Sequence, residues 1–186
     1  MNRRNVVRWL ATAPLAGAVG SWFSGPAFAK GEKAVEELQK NWKSLLADGA
    51  DVASGTEPLK LPNDEWKKRL SPQAYDVLRK EGTERAGSSP LDREKRPGVF
   101  ACAGCGLPLF TSAMKFDSGT GWPSFFTTIA GAIATSRDFK LIYPRTEYHC
   151  VRCGGHHGHL FDDGPEPTGQ RYCNNGVALR FIPKAG

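Results

Sequence analysis

Two C-x-x-C pairs constrain this chain more than any other feature: Cys102 with Cys105, and Cys150 with Cys153. A two-residue spacer lets both sulfurs of a pair face one metal ion, so the pairs supply the four thiolates of a tetrahedral structural Zn²⁺ site. The gap between them, residues 106–149, is longer than a usual zinc-ribbon gap, so the metal would join two distant segments. Four thiolates leave no position for a substrate, which predicts a role in stability. The alternative is a pair of disulfides or a redox-active pair.

The fifth cysteine, Cys173, lies outside this pattern, in R-Y-C-N-N. All four histidines precede it within residues 149–159, and histidine is the side chain that titrates near neutral pH. Arg171, two residues before the cysteine, can lower the pKa of the thiol and favour the nucleophilic thiolate. The pattern therefore indicates a catalytic cysteine. The residues alone leave open a buried structural thiol.

Two further motifs carry candidate site residues. In G-G-H-H-G-H, residues 154–159, strand alternation predicts that His157 and His159 share a face, and that His156 joins His159 only if the glycines bend the chain. A histidine-rich surface loop or an adventitious metal site fits this motif as well as a catalytic site does. Trp122, in G-T-G-W-P-S-F-F, is held between a glycine and a proline, which is typical of a pocket wall, although core packing is the simpler explanation.

The first 29 residues are typical of an export signal. Arg3 and Arg4 precede a mildly apolar stretch, and A-F-A at 27–29 offers a cleavage site, so the mature chain is predicted to begin at Lys30. The adjacent arginines favour twin-arginine export to the periplasm, although the match is loose and ordinary Sec export is the alternative. The stretch is too short and too mild for a bilayer span of about 20 apolar residues, so no stable membrane span is expected after cleavage.

The charge of the chain argues against nucleic-acid binding. Three arginines of the predicted signal account for half of the formal net charge of +6. No run of Lys and Arg interleaved with aromatic residues follows Lys30, and such a run is what a nucleic-acid surface would show. A hydrophobic content of 40% is enough for one domain with a real core.

Hydrophobic periodicity predicts helices first and a β region after them. An amphipathic helix is expected within 32–47, a linker follows to residue 60, a second helix runs from Asn63 toward Leu70, and a third begins with Ser71 as N-cap and stops at Gly82. Short strands are expected at 99–101, 133–135, 140–143, 146–150, 158–161 and 177–182. Strands do not alternate with long helices, so an antiparallel sheet is favoured over a parallel one.

Four motifs together resemble the B-type methionine-(R)-sulfoxide reductases in their order and spacing: G-V-F-A-C-A-G-C-G, S-G-T-G-W-P-S-F, C-G-G-H-H-G-H-L-F-D-D-G-P and R-Y-C-N-N-G-V-A-L-R-F. The resemblance extends from about Leu61 to Pro183, which implies a reductase domain over 61–186 preceded by a helix and linker over 30–60. It implies a mainly β fold of two small antiparallel sheets with short N-terminal helices and a zinc site of four cysteines. The implied activity is reduction of methionine-(R)-sulfoxide in proteins or peptides, as repair under oxidative stress.

The resemblance also implies roles for individual residues. Cys173 is similar to the thiolate that attacks the sulfoxide sulfur and becomes a sulfenic acid, and Trp122 to the indole that receives the substrate methyl group. The residues matching the family's remaining site positions are His156, His159, Asp163, Asn175 and Arg171. The metal ligands would be the four cysteines of the two pairs.

Two departures from the family pattern carry consequences. Many members have a further, recycling cysteine, whereas this sequence has none beyond the four expected ligands and Cys173. An external reductant, either a thioredoxin-like protein or a small thiol, is therefore expected. His157 stands where leucine is commoner.

The enzyme is expected to be a monomer. The competing hypotheses are an exported zinc-ribbon binding module without catalytic activity and a thiol-disulfide oxidoreductase that uses a C-x-x-C pair.

Overall fold

The computed structural model describes residues 26–139 and 143–184. Most of the predicted signal, residues 1–25, lies outside this part of the chain, as do positions 140–142 of a predicted strand; Tyr143, its last position, lies in a bend. The helices are α1 (Pro26–Lys40), α2 (Asn63–Arg69) and α3 (Pro72–Lys80), and a 3₁₀ turn continues α1 over Asn41–Leu45. The first helix thus begins before the expected residue 32 and tightens before residue 47. No described helix is long and apolar enough to cross a membrane.

The third helix begins as predicted from the sequence. The Ser71 side chain accepts a hydrogen bond from the backbone N–H of Ala74 at 3.2 Å, and Pro72 occupies the first turn. The helix ends at Lys80, and Glu81 caps it in the left-handed conformation with φ of 57°, next to the predicted stop at Gly82. Val77 and Leu78 are buried, as the periodicity predicts.

Nine antiparallel strands form two sheets in the described part of the chain. They are β1 (Gly98–Cys102), β2 (Pro108–Thr111), β3 (Lys115–Phe116), β4 (Ser124–Phe125), β5 (Ile133–Asp138), β6 (Arg145–Cys150), β7 (His156–Phe161), β8 (Arg171–Asn174) and β9 (Leu179–Pro183). The small sheet has the order β2-β1-β9, and the large sheet has the order β3-β4-β8-β7-β6-β5. The predicted fold class, mainly β with two small antiparallel sheets and short N-terminal helices, is confirmed.

Several strands differ from the sequence prediction. The last one begins at Leu179 because residues Gly176–Ala178 form a 3₁₀ turn. Strands β2, β3, β4 and β8 were not predicted: β3 and β4 have two residues each, and β2 begins with a proline. Such short strands depend on neighbouring strands more than on their own sequence.

The hydrophobic core lies between the two sheets. Phe100 of β1 and Phe110 of β2 face Phe125 of β4, and all three are fully buried. Phe110 stacks on Phe125 with 4.1 Å between ring centroids, and Phe100 meets Phe125 edge-on at 5.1 Å. Burial of each such ring contributes about 1.5–3 kcal/mol to folding, so this aromatic cluster fixes the sheets against each other.

Helices α2 and α3 cover the two C-x-x-C turns. A Cβ placed on Gly104, inside the first pair, would lie 3.6 Å from Leu78 and 3.6 Å from Trp66, both of which are buried. The Arg79 guanidinium donates a hydrogen bond to the carbonyl of Cys153 at 2.8 Å, in the second pair. The cysteine turns are therefore part of the core that attaches the helices to the sheets.

The segment before residue 61 packs against the rest of the domain. Leu38 and Trp42 lie against the core, and the Gln39 amide donates to Thr127 Oγ1 at 2.7 Å. The backbone N–H of Leu59 donates to the carbonyl of Arg152 at 2.7 Å. These contacts give the segment a packing role.

Candidate active site

The candidate nucleophile lies in the middle of the large sheet. Cys173 of β8 is paired with Ser124 of β4 on one side and with His159 of β7 on the other. Directly opposed residues on antiparallel strands have Cβ atoms about 4.5–5.5 Å apart. Strand register thus brings together a cysteine, a histidine and a hydroxyl that are far apart in the sequence. The Cys173 side chain is partly buried.

A cavity of about 160 Å³ opens at this point of the sheet. It is lined by Thr83, Trp122, Arg145, Gly158, His159, Phe161, Cys173, Asn174 and Asn175. Pockets for drug-sized ligands have volumes of about 300–1,000 Å³, so this cavity is of a size for one side chain. Trp122 lines it, so of the two explanations that the sequence left open for this residue, the pocket wall matches its position better than core packing.

Gly158 allows β7 to lie close to the nucleophile. A Cβ at this position would be 1.9 Å from the Cys173 carbonyl oxygen, which no side chain could tolerate. The pairing of β6 with β7 also shifts here, because Tyr148 faces Gly158 while His149 faces His156. His157 is therefore the extra residue of a β-bulge, and the regular alternation of side chains is interrupted.

The bulge corrects the expected placement of the histidines. The structure puts His156, not His157, beside His159, with 5.4 Å between ring centroids. His157 is fully buried and lies parallel to Tyr148 at 6.4 Å. Burial lowers the pKa of His157 to about 4, so this ring is neutral at neutral pH. His157 is thus a core residue.

A carboxylate that the sequence analysis did not identify orients the cavity histidine. Asp138 Oδ2 lies 2.8 Å from His159 Nε2 and accepts a hydrogen bond from Arg145 at 2.6 Å. Asp138 is buried at the end of β5, and Arg145 begins β6 directly opposite. The sequence does contain a signal for this contact. An acid and a base on either side of a hairpin loop can form a cross-strand pair. The carboxylate fixes the orientation of the His159 ring.

Asp163, one of the site positions that the resemblance implies, binds Arg171. Its two oxygens accept hydrogen bonds from the Arg171 guanidinium at 2.7 and 2.9 Å, a bidentate pair. Arg171 lowers the pKa of the Asp163 carboxyl, so Asp163 stays ionised near neutral pH. The guanidinium also lies over the ring of Phe161, with 4.3 Å to the centroid. Arg171 is therefore fixed from two sides.

Arg171 favours ionisation of Cys173, as the sequence predicts, but burial has the larger effect on the pKa of this thiol. Burial raises the pKa of the Cys173 thiol above its ordinary range. The charge of Arg171 and hydrogen bonds from Arg171 and Thr120 act in the opposite direction. Burial therefore favours the thiol form of Cys173, whereas the Arg171 guanidinium favours the thiolate.

Glu84, also missed in the sequence, connects Trp122 to the chain after the nucleophile. Its buried carboxylate accepts from the backbone N–H groups of Gly176 at 2.6 Å and Val177 at 3.0 Å. Its carbonyl accepts from Trp122 Nε1 at 3.2 Å, and its N–H donates to Asn175 Oδ1 at 2.9 Å. The Asn175 amide therefore holds backbone positions.

The four cysteines of the two pairs meet in one group, the four-cysteine cluster. Their sulfurs lie within 4.8 Å of one another, with 3.6 Å between those of Cys102 and Cys153 and 3.5 Å between those of Cys105 and Cys150. A disulfide needs about 2.0 Å. Ligands about 2.3 Å from a tetrahedral Zn²⁺ would be about 3.8 Å apart. The cluster could therefore bind a metal ion, and its donor set and spacing fit zinc.

Comparison with known proteins shows the family of this chain. The SelR domain family matches residues 70–183. Peptide methionine sulfoxide reductase B1, chloroplastic, of Arabidopsis thaliana is 48% identical over 148 residues, which cover 79% of this chain and 73% of the relative. Peptide methionine sulfoxide reductase MsrB of Methanosarcina barkeri is 51% identical over 119 residues, covering 63% and 84%. That of Leifsonia xyli is 45% identical over 136 residues, covering 72% and 98%. The chain therefore belongs to the family of B-type methionine-(R)-sulfoxide reductases and is an enzyme of that family.

Proposed function

We propose that this enzyme reduces methionine-(R)-sulfoxide residues of oxidised proteins and peptides through Cys173. The observation that carries the proposal is the cavity itself, which has the size of one side chain and places Cys173, His159 and Trp122 on its walls. An oxidised methionine side chain offers the matching groups: an electrophilic sulfur, a basic oxygen and a methyl group. Trp122 receives the methyl group and so selects one epimer.

Oxygen transfer requires a nucleophile at sulfur and a proton at oxygen at the same time. Cys173 sulfur attacks the sulfoxide sulfur, and the oxygen is protonated as its bond to the methionine sulfur weakens. The oxygen then binds to the Cys173 sulfur as the bond between the two sulfurs breaks, which leaves Cys173 as a sulfenic acid and releases methionine. Methionine sulfur gains two electrons and Cys173 sulfur loses two, so the thiol and the sulfoxide together become sulfenic acid and thioether.

His159 transfers the proton in this scheme. It lines the cavity and is the direct cross-strand neighbour of Cys173, so it can take the thiol proton and pass it to the sulfoxide oxygen. Asp138 holds the ring by contact with Nε2, and His156 packs beside it from the buried side. Arg171, fixed by Asp163, stabilises the thiolate during the attack.

The function is tested by a single turnover of the wild-type enzyme without reductant, using the separate R and S epimers of a methionine sulfoxide peptide. We expect one equivalent of methionine per chain from the R epimer and none from the S epimer. A sulfenic-acid trap should label Cys173, and a thiol added afterwards should restore turnover. Reduction of both epimers, or an intramolecular disulfide to Cys173 in the oxidised enzyme, would contradict the proposal.

Loss of the Asp138 carboxylate should slow the reduction more than loss of the Asp163 carboxylate. Asp138→Asn removes the charge that holds His159, and we expect kcat to fall about 10²-fold with a small change in KM, because general acid-base catalysis typically contributes about that much or more. Asp163→Asn keeps a hydrogen-bonding side chain near Arg171 and should cost less than about tenfold. Steady-state kinetics on the R epimer measures both variants. Equal losses would show that Asp138 has no special role in proton transfer.

Recycling of Cys173 depends on a second molecule. The sulfenic acid is reduced by an external thiol through a mixed disulfide, with release of water, and a second thiol then frees the cysteine. A thioredoxin-like protein or a small thiol supplies these electrons. The restored enzyme can repair further methionines under oxidative stress.

The four-cysteine cluster holds one structural Zn²⁺ per chain in this proposal. Its ligands come from the ends of β1 and β6 and from the turns that follow them, so the metal would join the small sheet to the large one. The metal would supply stability without entering the reaction, because four thiolates complete its coordination.

Export to the periplasm through the twin-arginine route is proposed from the signal sequence. This route carries folded proteins, so zinc bound before export would protect the four thiolates from oxidation to disulfides. Replacement of Arg3 and Arg4 by lysine should block export of a folded reporter fused to the signal. Undiminished export of the reporter would exclude this route.

A further inference from the structure

We propose a second metal-binding site in this protein, formed by Glu147, His149 and His156, that takes a divalent transition-metal ion of the Zn²⁺ class and slows the enzyme when it is filled. The three side chains each offer one ligand atom, and these atoms lie within 4.8 Å of one another. The set contains no sulfur and is separate from the four-cysteine cluster.

The spacing of the ligand atoms fits one ion. Glu147 Oε2 lies 3.2 Å from His156 Nδ1 and 3.8 Å from His149 Nε2. Imidazole nitrogens and carboxylate oxygens bind zinc at about 2.0–2.2 Å, and two ligands of one tetrahedral ion are then about 3.4 Å apart. Two imidazoles with one carboxylate suit Zn²⁺, Co²⁺, Ni²⁺ or Cu²⁺, whereas Mg²⁺ and Ca²⁺ prefer oxygen ligands alone.

Neighbouring strands hold these ligands in place. Glu147 and His149 are two residues apart on β6, so their side chains share a face, and His156 is the direct partner of His149 on β7. On the other side, Ser136 of β5 donates to Glu147 Oε1 at 3.0 Å, which leaves Oε2 toward the histidines. Contacts of this kind orient metal ligands and raise affinity.

The site is enclosed but open on one side. Glu147 and His156 are buried, whereas the His149 side chain keeps 19% of its surface exposed. An ion can therefore enter past His149, and water can complete its coordination there. Although His149 precedes Cys150 in the chain, adjacent residues of a strand point to opposite faces of the sheet. The two metal sites thus lie on different faces of β6.

Occupation of this site would affect the reaction through His156. That ring lies 5.4 Å from the ring of His159, which we propose transfers the proton. An ion bound to His156 would fix that ring and place a positive charge beside His159, where the proposed scheme carries the proton. This consequence rests on the proposed function, whereas the binding of the ion does not.

The experiment counts zinc in the folded protein with its four-cysteine cluster loaded. Equilibrium dialysis against buffered free Zn²⁺, followed by elemental analysis, should give two zinc ions per wild-type chain. His149→Ala and Glu147→Gln should bind the second ion more than about tenfold more weakly. His157→Leu, which removes a histidine outside the proposed site, should keep two. Co²⁺ in the second site should show absorption without thiolate-to-metal bands. One zinc in the wild type, or an unchanged second zinc in His149→Ala, would overturn the site.

Activity distinguishes this site from metal on Cys173. Added Zn²⁺ should slow the wild type but not His149→Ala, when each rate is divided by that variant's own rate without added zinc. Equal inhibition of both proteins would place the inhibitory ion elsewhere and overturn the proposed effect on the enzyme. A second zinc without inhibition would support the site and overturn its link to His159. If the wild type reduced no sulfoxide at all, the proposed function would be wrong, and the number of zinc ions per chain would still test the second metal site.

Discussion

Cys173→Ser should abolish reduction of the R epimer. A serine hydroxyl is a far weaker nucleophile than a thiolate and cannot accept the oxygen as a sulfenic acid does, so we expect the rate to fall at least about 10³-fold. Such a loss corresponds to about 4 kcal/mol of transition-state stabilisation. The measurement is single-turnover formation of methionine from a sulfoxide peptide, with an excess of enzyme.

The control for Cys173→Ser is a comparison of its zinc content and its Tm with those of the wild type. Cys173 is separate from the four-cysteine cluster, so Cys173→Ser should keep its zinc and melt within a few degrees of the wild type. Residual activity within tenfold of the wild type, in protein of normal zinc content, would show that another group attacks the sulfoxide. It would also favour the thiol-disulfide hypothesis, in which a C-x-x-C pair performs the chemistry.

Among the variants proposed here, Cys105→Ser in the four-cysteine cluster should lower the stability of the folded protein most. Cys105 is the least buried residue of the four-cysteine cluster, so we expect Cys105→Ser to change metal binding more than core packing. Structural zinc contributes about 10–16 kcal/mol in zinc-finger peptides, and even a third of that is about 4 kcal/mol. At about 2–4 °C per kcal/mol for a chain of this size, Tm should fall by roughly 8–16 °C. Thermal unfolding followed by circular dichroism measures this change.

Cys173→Ser serves as the matched control, because it makes the same atomic change outside the cluster. Treatment of the wild type with a strong chelator should reproduce the lower Tm of Cys105→Ser, and the variant itself should respond little. If Cys105→Ser kept both its zinc and its Tm, three cysteines would suffice and the structural role of the fourth would be wrong.

The sequence predicts the parts of this fold that have strong local signals. Ser71 followed by Pro72 marks the start of α3 because capping depends on neighbouring residues only. The two C-x-x-C pairs predict their own meeting point for a different reason: four thiolates at this spacing can share one metal ion although the pairs are far apart in the sequence. Strands β3 and β4 carry no such signal, since two residues cannot show alternation, and they exist because β8 pairs with β4.

The site shows the same division. The motifs identify Cys173, His159 and Trp122, all of which line the cavity. They do not identify Asp138 or Glu84, whose roles arise from cross-strand register and from a loop that returns to the sheet. Alternation also misplaced the histidines, because one inserted residue in β7 reverses which of them stands beside His159.

The loop at Glu84 affects the proposed selection between the two epimers of the sulfoxide. Glu84 spans the gap between the Trp122 indole and the backbone that follows Cys173. In the proposed mechanism it therefore acts as a spacer between the wall that receives the methyl group and the wall that carries the reactive sulfur. The width of that gap decides whether the methyl group and the sulfur of one epimer fit together. In the proposed mechanism, the preference for one epimer depends on the spacing between these two segments as well as on Trp122. We expect a shift of the Glu84 loop to weaken that preference without removing any reacting group.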